Sequence, residues 1–574
     1  MLIMLRISAI SAGAVEYLVR GSGCTDHEHS VDLDEGAEQT AERSAGMEQE
    51  LGGQGPAYFE AAVSHGEPEG RWFGTGLEAM GINARSGEVV DVDDVRAVFG
   101  QLRRPESSEE APEFLGRRPP TYKTEEQRLA ALVAKEPGEP TPERLRELET
   151  AAATDGRKGV AYYDFTFSAP KSVSVYWAAL LAAGADEQAA AVAGAHDKAV
   201  EIAISYAEQH VAYTRTGWHG RTTTGNESVG KHEAGQGTVW TLWRHSTSRE
   251  NEPQLHTHGA LLNRTVTADG KIGALDGRSF RAYKEAFASA YERALEQLTT
   301  EATGARFAER ADGVAREIVG VDPELMAEAS TRRGQVTARV DELVAAYVDR
   351  NGYEPGPAAR KAMADMATLD TRAPKGTESG PAGVAAWSAA RVERLVDLVD
   401  EVAVAGHDPA ELATGPAPVA GHAATAERAG QELGTGPVAG GRPAVAGEVV
   451  AGVDREAVMA AAVADAQAQY SVWTIGNLSH ALDRRLGDAH ELGVEAEARP
   501  ALLEALAREA LASTGVVQVS APDPVAVPAE LQRVDGGSIY RRANGERYAT
   551  AEHLTMEDHL VTMTRAQTAP AIVG

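Results

Sequence analysis

The chain has 574 residues, 43% of them hydrophobic, and a formal net charge of −30 at pH 7. Such a length is too great for one core and suggests about three or four domains. The acidic balance excludes a general nucleic-acid coat, because polyanions repel an acidic surface. The single cysteine, Cys24, excludes an intrachain disulfide and suits a cytoplasmic protein, and no apolar run reaches the roughly 20 residues of a membrane span.

In chain order, the opening MLIMLRISAI is apolar but short and is interrupted by Arg6, so it reads as a first strand rather than a signal peptide. SAGAVEYLVR follows as a short helix. Residues 24–55 carry nine acids against one arginine and are expected to be a disordered acidic insertion. Order resumes at AYFEAAVSHGEPEGRWFGTGLEAMGI. Residues 101–160 hold charged, proline-containing connections and a helix at 124–135. Tyr162 to Phe167 alternate as a strand, and Pro170 opens a helix that runs to Leu181. An alanine-rich helix covers 187–210, after which strand signals dominate to about 275, with ADGK as a hairpin turn. Helices return over 280–350. Residues 376–450, rich in Ala, Gly, Pro and Thr, read as a linker, and 453–565 regain helical patterning with short strand-like pieces.

The chemistry concentrates in RHSTSRENEPQLHTHGALLN. His256 and His258 are two apart on a predicted strand, so both point to the same face. His245 closes the preceding predicted strand, VWTLWRH. A hairpin across the polar loop between them would bring three imidazoles together, a donor set that binds a divalent metal and leaves positions open for substrate. From Val211 to Lys284 there are ten Lys/Arg against six Asp/Glu, a local excess of four positive charges. Arg215, Arg221, Lys231, Arg244, Arg249 and Arg264 in this island favour a phosphate-bearing substrate. Trp218, Trp240 and Trp243 offer either stacking faces for unpaired bases or core packing.

Several strings together resemble the relaxase domain of MobF-type conjugative relaxases, which are HUH endonucleases, and SVWT and RYAT within 453–565 resemble the stretch before the motor in the actinobacterial type. QLHTHGALLN is similar to the HUH element, with His245 as the third ligand. YYDFTFSAPKSVS resembles the family's acidic strand, with Asp164 at the acidic position. SAGAVEYL resembles the element carrying the first catalytic tyrosine, here Tyr17, and the segment from Ala57 resembles the one carrying the second, here Tyr58. The resemblance implies an α+β fold, with a central antiparallel sheet flanked by helices and a mainly helical C-terminal domain. It also implies nicking and rejoining of single-stranded DNA at a transfer origin through a 5′-phosphotyrosine. A divalent ion, Mg²⁺ or Mn²⁺ with Zn²⁺ as an alternative, would sit on the three histidines. Asp164 would accept a proton or orient a ligand histidine, and Arg249, Arg244 and Lys171 would contact DNA.

The division expected is 1–23, a strand and helix with the nucleophile; 24–55, the insertion; 56–320, the relaxase core; 321–375, a helical extension; 376–450, the linker; and 451–574, a stretch resembling the region before a helicase motor. No GxxxxGK[ST] string occurs, so neither ATPase nor helicase activity is expected of this chain. Expected partners are origin DNA, accessory DNA-binding proteins, a coupling protein or translocation apparatus, and a helicase in trans, with no membrane insertion. A rolling-circle replication initiator would use the same chemistry, and an inactive DNA-binding remnant of a mobile element is the reading from a different class.

Overall fold

An antiparallel sheet of six strands organises the chain. The structure is a computed structural model and describes residues 5–11, 31–32, 66–108, 110–118, 123, 125–136, 138–154, 159–217, 220–221, 227–228, 230–248, 250–310, 315–371, 380–407, 454–487, 493–523 and 526–565. The first strand, β1 (Leu5–Ser11), turns Leu5, Ile7 and Ala9 to one face and Ser8 and Ile10 to the other. At its edge lies β2 (Val31–Asp32), so the stretch 24–55, expected to be disordered throughout, contributes a short paired segment. Next come β3 (Arg71–Phe73), the short helices α1 (Leu77–Met80) and α2 (Val92–Val95), then α3 (Glu125–Val133) and α4 (Pro142–Thr154).

The centre of the sheet is β4 (Val160–Ser168), buried on both faces. Two helices follow, α5 (Lys171–Ala182) behind the expected Pro170 and α6 (Asp186–Val211), whose first turn holds Asp186 and Glu187 where the helix dipole favours acids. A ribbon then runs out and back, with β5 (Tyr213–Thr216) on β8 (Lys231–Ala234) and β6 (Gly220–Arg221) on β7 (Glu227–Ser228). The hairpin β9 (Trp240–Thr247) and β10 (Pro253–Leu262) completes the sheet, in the order β2-β1-β4-β10-β9-β3. The ADGK turn joins β11 (Thr265–Val266) to β12 (Ile272–Gly273), with Gly270 at φ 78° as such turns require.

The helix α7 (Lys284–Thr303) stops at Gly304, φ 77°. Then come β13 (Phe307–Glu309) and β14 (Arg316–Ile318), α8 (Pro323–Glu328), and the pair α9 (Thr331–Asn351) and α10 (Pro357–Asp370). Here the structure corrects the expected linker, because α11 (Pro381–Ala389) and α12 (Val392–His407) fold within its first half. Val384, Leu395, Leu398 and Val402 are buried in the main core. Their spacing over 392–402 is helical, and the surrounding Gly and Ala content masked it.

Two apolar clusters cover the two faces of the sheet. On one face, α5, α6 and α7 pack over Leu5, Ile7, Phe165, Phe167, Trp240 and Leu261. On the other, Ile10, Tyr162, Trp243, Ala260 and Leu262 meet Trp72 and Phe99. Trp240 and Trp243 are therefore core residues, on opposite faces, rather than stacking platforms. Gly70 has no room for a side chain, since a Cβ there would lie 2.4 Å from the Trp243 ring.

The C-terminal part is mainly helical: α13 (Arg455–Gln469), α14 (Ile475–Leu486), α15 (Arg499–Leu511) and α16 (Ala551–Arg565), with β15 (Val516–Gln518) on β16 (Tyr548–Thr550). It has its own core around Trp473, Leu482 and Leu506. It also packs directly on α7 and the turn before it. Thr474, which forms a capping box with Asn477, donates its hydroxyl to Ala282 O at 2.7 Å. Gly476 lies so close to that carbonyl that a Cβ would be 2.1 Å from the oxygen. Glu504 is the hub on α15, 3.1 Å from His210 Nε2, accepting from the Tyr206 hydroxyl at 3.3 Å and paired with Arg508.

Candidate metal centre

The register of the β9–β10 hairpin makes the site. His256 pairs with His245, and His258 lies two residues further along the same face of β10. Their ring centroids are 5.2, 5.4 and 5.3 Å apart. One nitrogen from each lies within 4.8 Å of the others, and this is the one such cluster found among the described residues. His256 and His258 are buried, and His245 is half-buried at the open side.

Two of the three rings are set by their other nitrogen. His258 Nδ1 lies 2.8 and 3.1 Å from the two carboxylate oxygens of Asp164. An ionised carboxylate only accepts, so Nδ1 carries the proton and Nε2 keeps its lone pair. Thr166 Oγ1, 3.4 Å from Asp164 Oδ2, is the next group in the line. His256 Nδ1 is 2.9 Å from Gln254 O, a carbonyl that also only accepts, which again leaves Nε2 as donor to a metal. Asp164 is fully buried on β4, in register with Ala260, so it reaches His258 from the neighbouring strand and on the same face.

This donor set fits a divalent ion. Ligand bonds of about 2.0–2.1 Å place coordinated nitrogens roughly 3 Å apart, so small side-chain rotations close the spread of 4.8 Å. Imidazole donors suit zinc, copper, nickel and iron better than magnesium, which prefers oxygen.

The remaining predicted residues divide. Tyr17, Tyr58, Arg249 and Trp218 lie outside the described residues. Arg244 alternates with His245 and so faces the reverse of the sheet, where Nη1 bonds Asp197 Oδ2 at 2.6 Å. Its guanidinium therefore lies on the helix-covered side, away from the three histidines. Lys171 Nζ donates to Pro253 O at 3.0 Å, tying the start of α5 to the start of β10. Arg264 is buried and donates to the carbonyls of Leu115, Asn263 and Arg117, and burial pushes its pKa down to about 10. It holds the fold together rather than meeting phosphate.

Three nearby residues were not legible in the sequence. Glu67 accepts from the Ser246 amide at 2.9 Å and its hydroxyl at 2.7 Å, next in sequence to His245. Burial raises its pKa, against the lowering effect of those two hydrogen bonds. His196 on α6 is fully buried, with Nε2 2.8 Å from Thr257 Oγ1 and Nδ1 2.9 Å from the Tyr291 hydroxyl. Burial first, then Arg244 and His256, push its pKa down to about 3, so it is neutral. Asp197 is its neighbour on the same helix. No spacing rule links 67 to 246 or 196 to 257; only the packing does.

Residues 31–394, more than half the chain, match the family model described as TrwC relaxase. Together with the histidine-bearing hairpin, this defines the class as a relaxase of the MobF type. The chain belongs to the TrwC relaxase family. The matched span contains Tyr58 and the three histidines and begins after Tyr17. Two curated relatives, both the multifunctional conjugation protein TraI of Escherichia coli, one of them from strain K12, are 30% identical over 254 residues. The match takes in 41% of this chain but 12% of each relative's length. Among solved structures, the conjugative relaxase TrwC in complex with origin-of-transfer DNA, in its copper-bound form, is 21% identical at a TM-score of 0.42, over 68% of this chain and 98% of that one. A TrwC complex with mutant origin DNA is 25% identical at 0.40, over 59% and 95%.

Proposed function

We propose that this relaxase nicks and rejoins one strand of DNA at a transfer origin through a tyrosine ester, and that it depends on a divalent metal held by His245, His256 and His258. The observation that carries the reading is the geometry of the triad on β9 and β10, with His258 fixed by buried Asp164, inside the span that matches the family. When bound, the ion would supply Lewis-acid polarisation of the scissile phosphate. The Tyr17 hydroxyl attacks phosphorus, an O–P bond forms to the phenol, and the bond to the 3′-oxygen breaks, leaving a 3′-hydroxyl. Rejoining runs the same exchange in reverse, and Tyr58 is the second nucleophile for a further strand. Asp164 keeps the proton on His258 Nδ1, so the ring presents Nε2 throughout. Positive charge around the hairpin, with Arg249 the leading candidate, would hold the DNA backbone.

The test uses labelled single-stranded oligonucleotides tiling the DNA that flanks the gene, with Mn²⁺ or Zn²⁺. A covalent adduct that disappears on chelation and in Tyr17→Phe is the expected result. Binding without any adduct would overturn the enzymatic reading in favour of an inactive DNA-binding remnant.

A further inference from the structure

The residues that interleave with the three ligands are themselves gripped from behind. Along β10, Thr257 separates His256 from His258 and points to the opposite face. Along β9, Arg244 precedes His245 and points the same way. Thr257 and Arg244 are direct cross-strand partners. Two consecutive residues of α6 reach them, His196 to the Thr257 hydroxyl at 2.8 Å and Asp197 to the Arg244 guanidinium at 2.6 Å. His196 is anchored on its other side by the Tyr291 hydroxyl of α7, at 2.9 Å.

We propose that His196 and Asp197 act as positioning residues for the metal centre, holding the β9–β10 pair from its reverse face so that the three ligand rings converge. A strand residue cannot rotate or slide without carrying its neighbours, since side chains alternate on one backbone. Fixing Thr257 therefore fixes the backbone that aims both His256 and His258, and fixing Arg244 does the same for His245. His196 is suited to this because both ring nitrogens are spent on hydroxyl partners in a fully buried site, where a broken bond is costly. The inference rests on the proposed metal-binding role of the triad, and it adds residues from a helix that carries none of the three histidines.

The test is Mn²⁺ and Zn²⁺ affinity, measured by titration calorimetry on the full chain without DNA. The variants are His196→Leu, Thr257→Val, the double variant, His196→Gln and Asp197→Asn. Outer partners of metal ligands are typically worth about 10–100-fold in affinity, so a loss of about 10-fold or more is expected in His196→Leu and Thr257→Val. The double variant, which strands the Tyr291 hydroxyl but no group on β10, should regain part of the lost thermal stability but not the affinity. His196→Gln, able to bond Thr257, should keep most of it, and Asp197→Asn should show a smaller loss. Wild-type affinity in a folded double variant would overturn the inference while leaving the metal reading intact. A wild type that binds neither ion would overturn both.

Discussion

Asp164 and His258 sit on adjacent strands with a carboxylate oxygen 2.8 Å from the ring Nδ1, and Asp164 is wholly buried. The pair places a negative charge behind an imidazole whose other nitrogen faces the triad. A carboxylate in that position fixes the tautomer and makes the ring a better donor.

Asp164→Asn should therefore lower metal affinity by about 10–100-fold with little loss of fold, since the amide oxygen can still accept from Nδ1. Calorimetric titration of Mn²⁺ or Zn²⁺ into the variant checks this, and an unchanged affinity would remove Asp164 from the centre.

His196 makes stability depend on pH. Its pKa is about 3 in the folded chain against an ordinary value near 6.5, so the unfolded chain binds the extra proton first. Stability from this group is intact above about pH 6.5 and falls as pH drops toward 3, by about 1.4 kcal/mol per unit. In His196→Gln, urea midpoints compared between pH 6 and pH 5 should show a shallower decline than the parent.

Glu504 behaves in the opposite chemical sense. Burial alone would raise its pKa, but His210 and Arg508 bring it down to about 2. Its contribution is present above an ordinary carboxylate value near 4.5 and is lost as pH falls toward 2. Glu504→Gln should cost about 3 kcal/mol by leaving the buried groups around it poorly paired. Urea unfolding followed with a protease that cuts the C-terminal part checks both the loss and its location.

Arg264 tests the distinction between charge in the fold and charge for DNA. Arg264→Met leaves three main-chain carbonyls without their donor and should destabilise by about 3 kcal/mol. The salt dependence of DNA binding, measured as the slope of affinity against ionic strength, should stay the same, because no phosphate contact has been removed.

Much of the site could be read from the chain because it is local. The period-two spacing of His256 and His258, the strand ending in His245 and the alternating YYDFTF string all rest on regularities within a few residues. The helices α5 and α6 were equally plain, from Pro170 and from the run of alanines. The partner of Arg244 was not legible because sequence shows charge but not face. Once the register sets His245 toward the metal, alternation turns Arg244 to α6 and Asp197. The helices α11 and α12 were missed because the Gly and Ala content around them masked a helical apolar spacing.

What the sequence determined by itself was the chemistry: three imidazoles on a strand pair, an acid on a neighbouring strand, and the resemblance that joins them. Tertiary structure alone decided which groups stand behind that chemistry. Glu67 with Ser246, His196 with Thr257 and Glu504 with His210 are separated by 179, 61 and 294 residues, respectively, and share no periodicity. Such partners are selected by packing, where each buried polar atom must find a mate, and that requirement leaves no trace in a linear pattern.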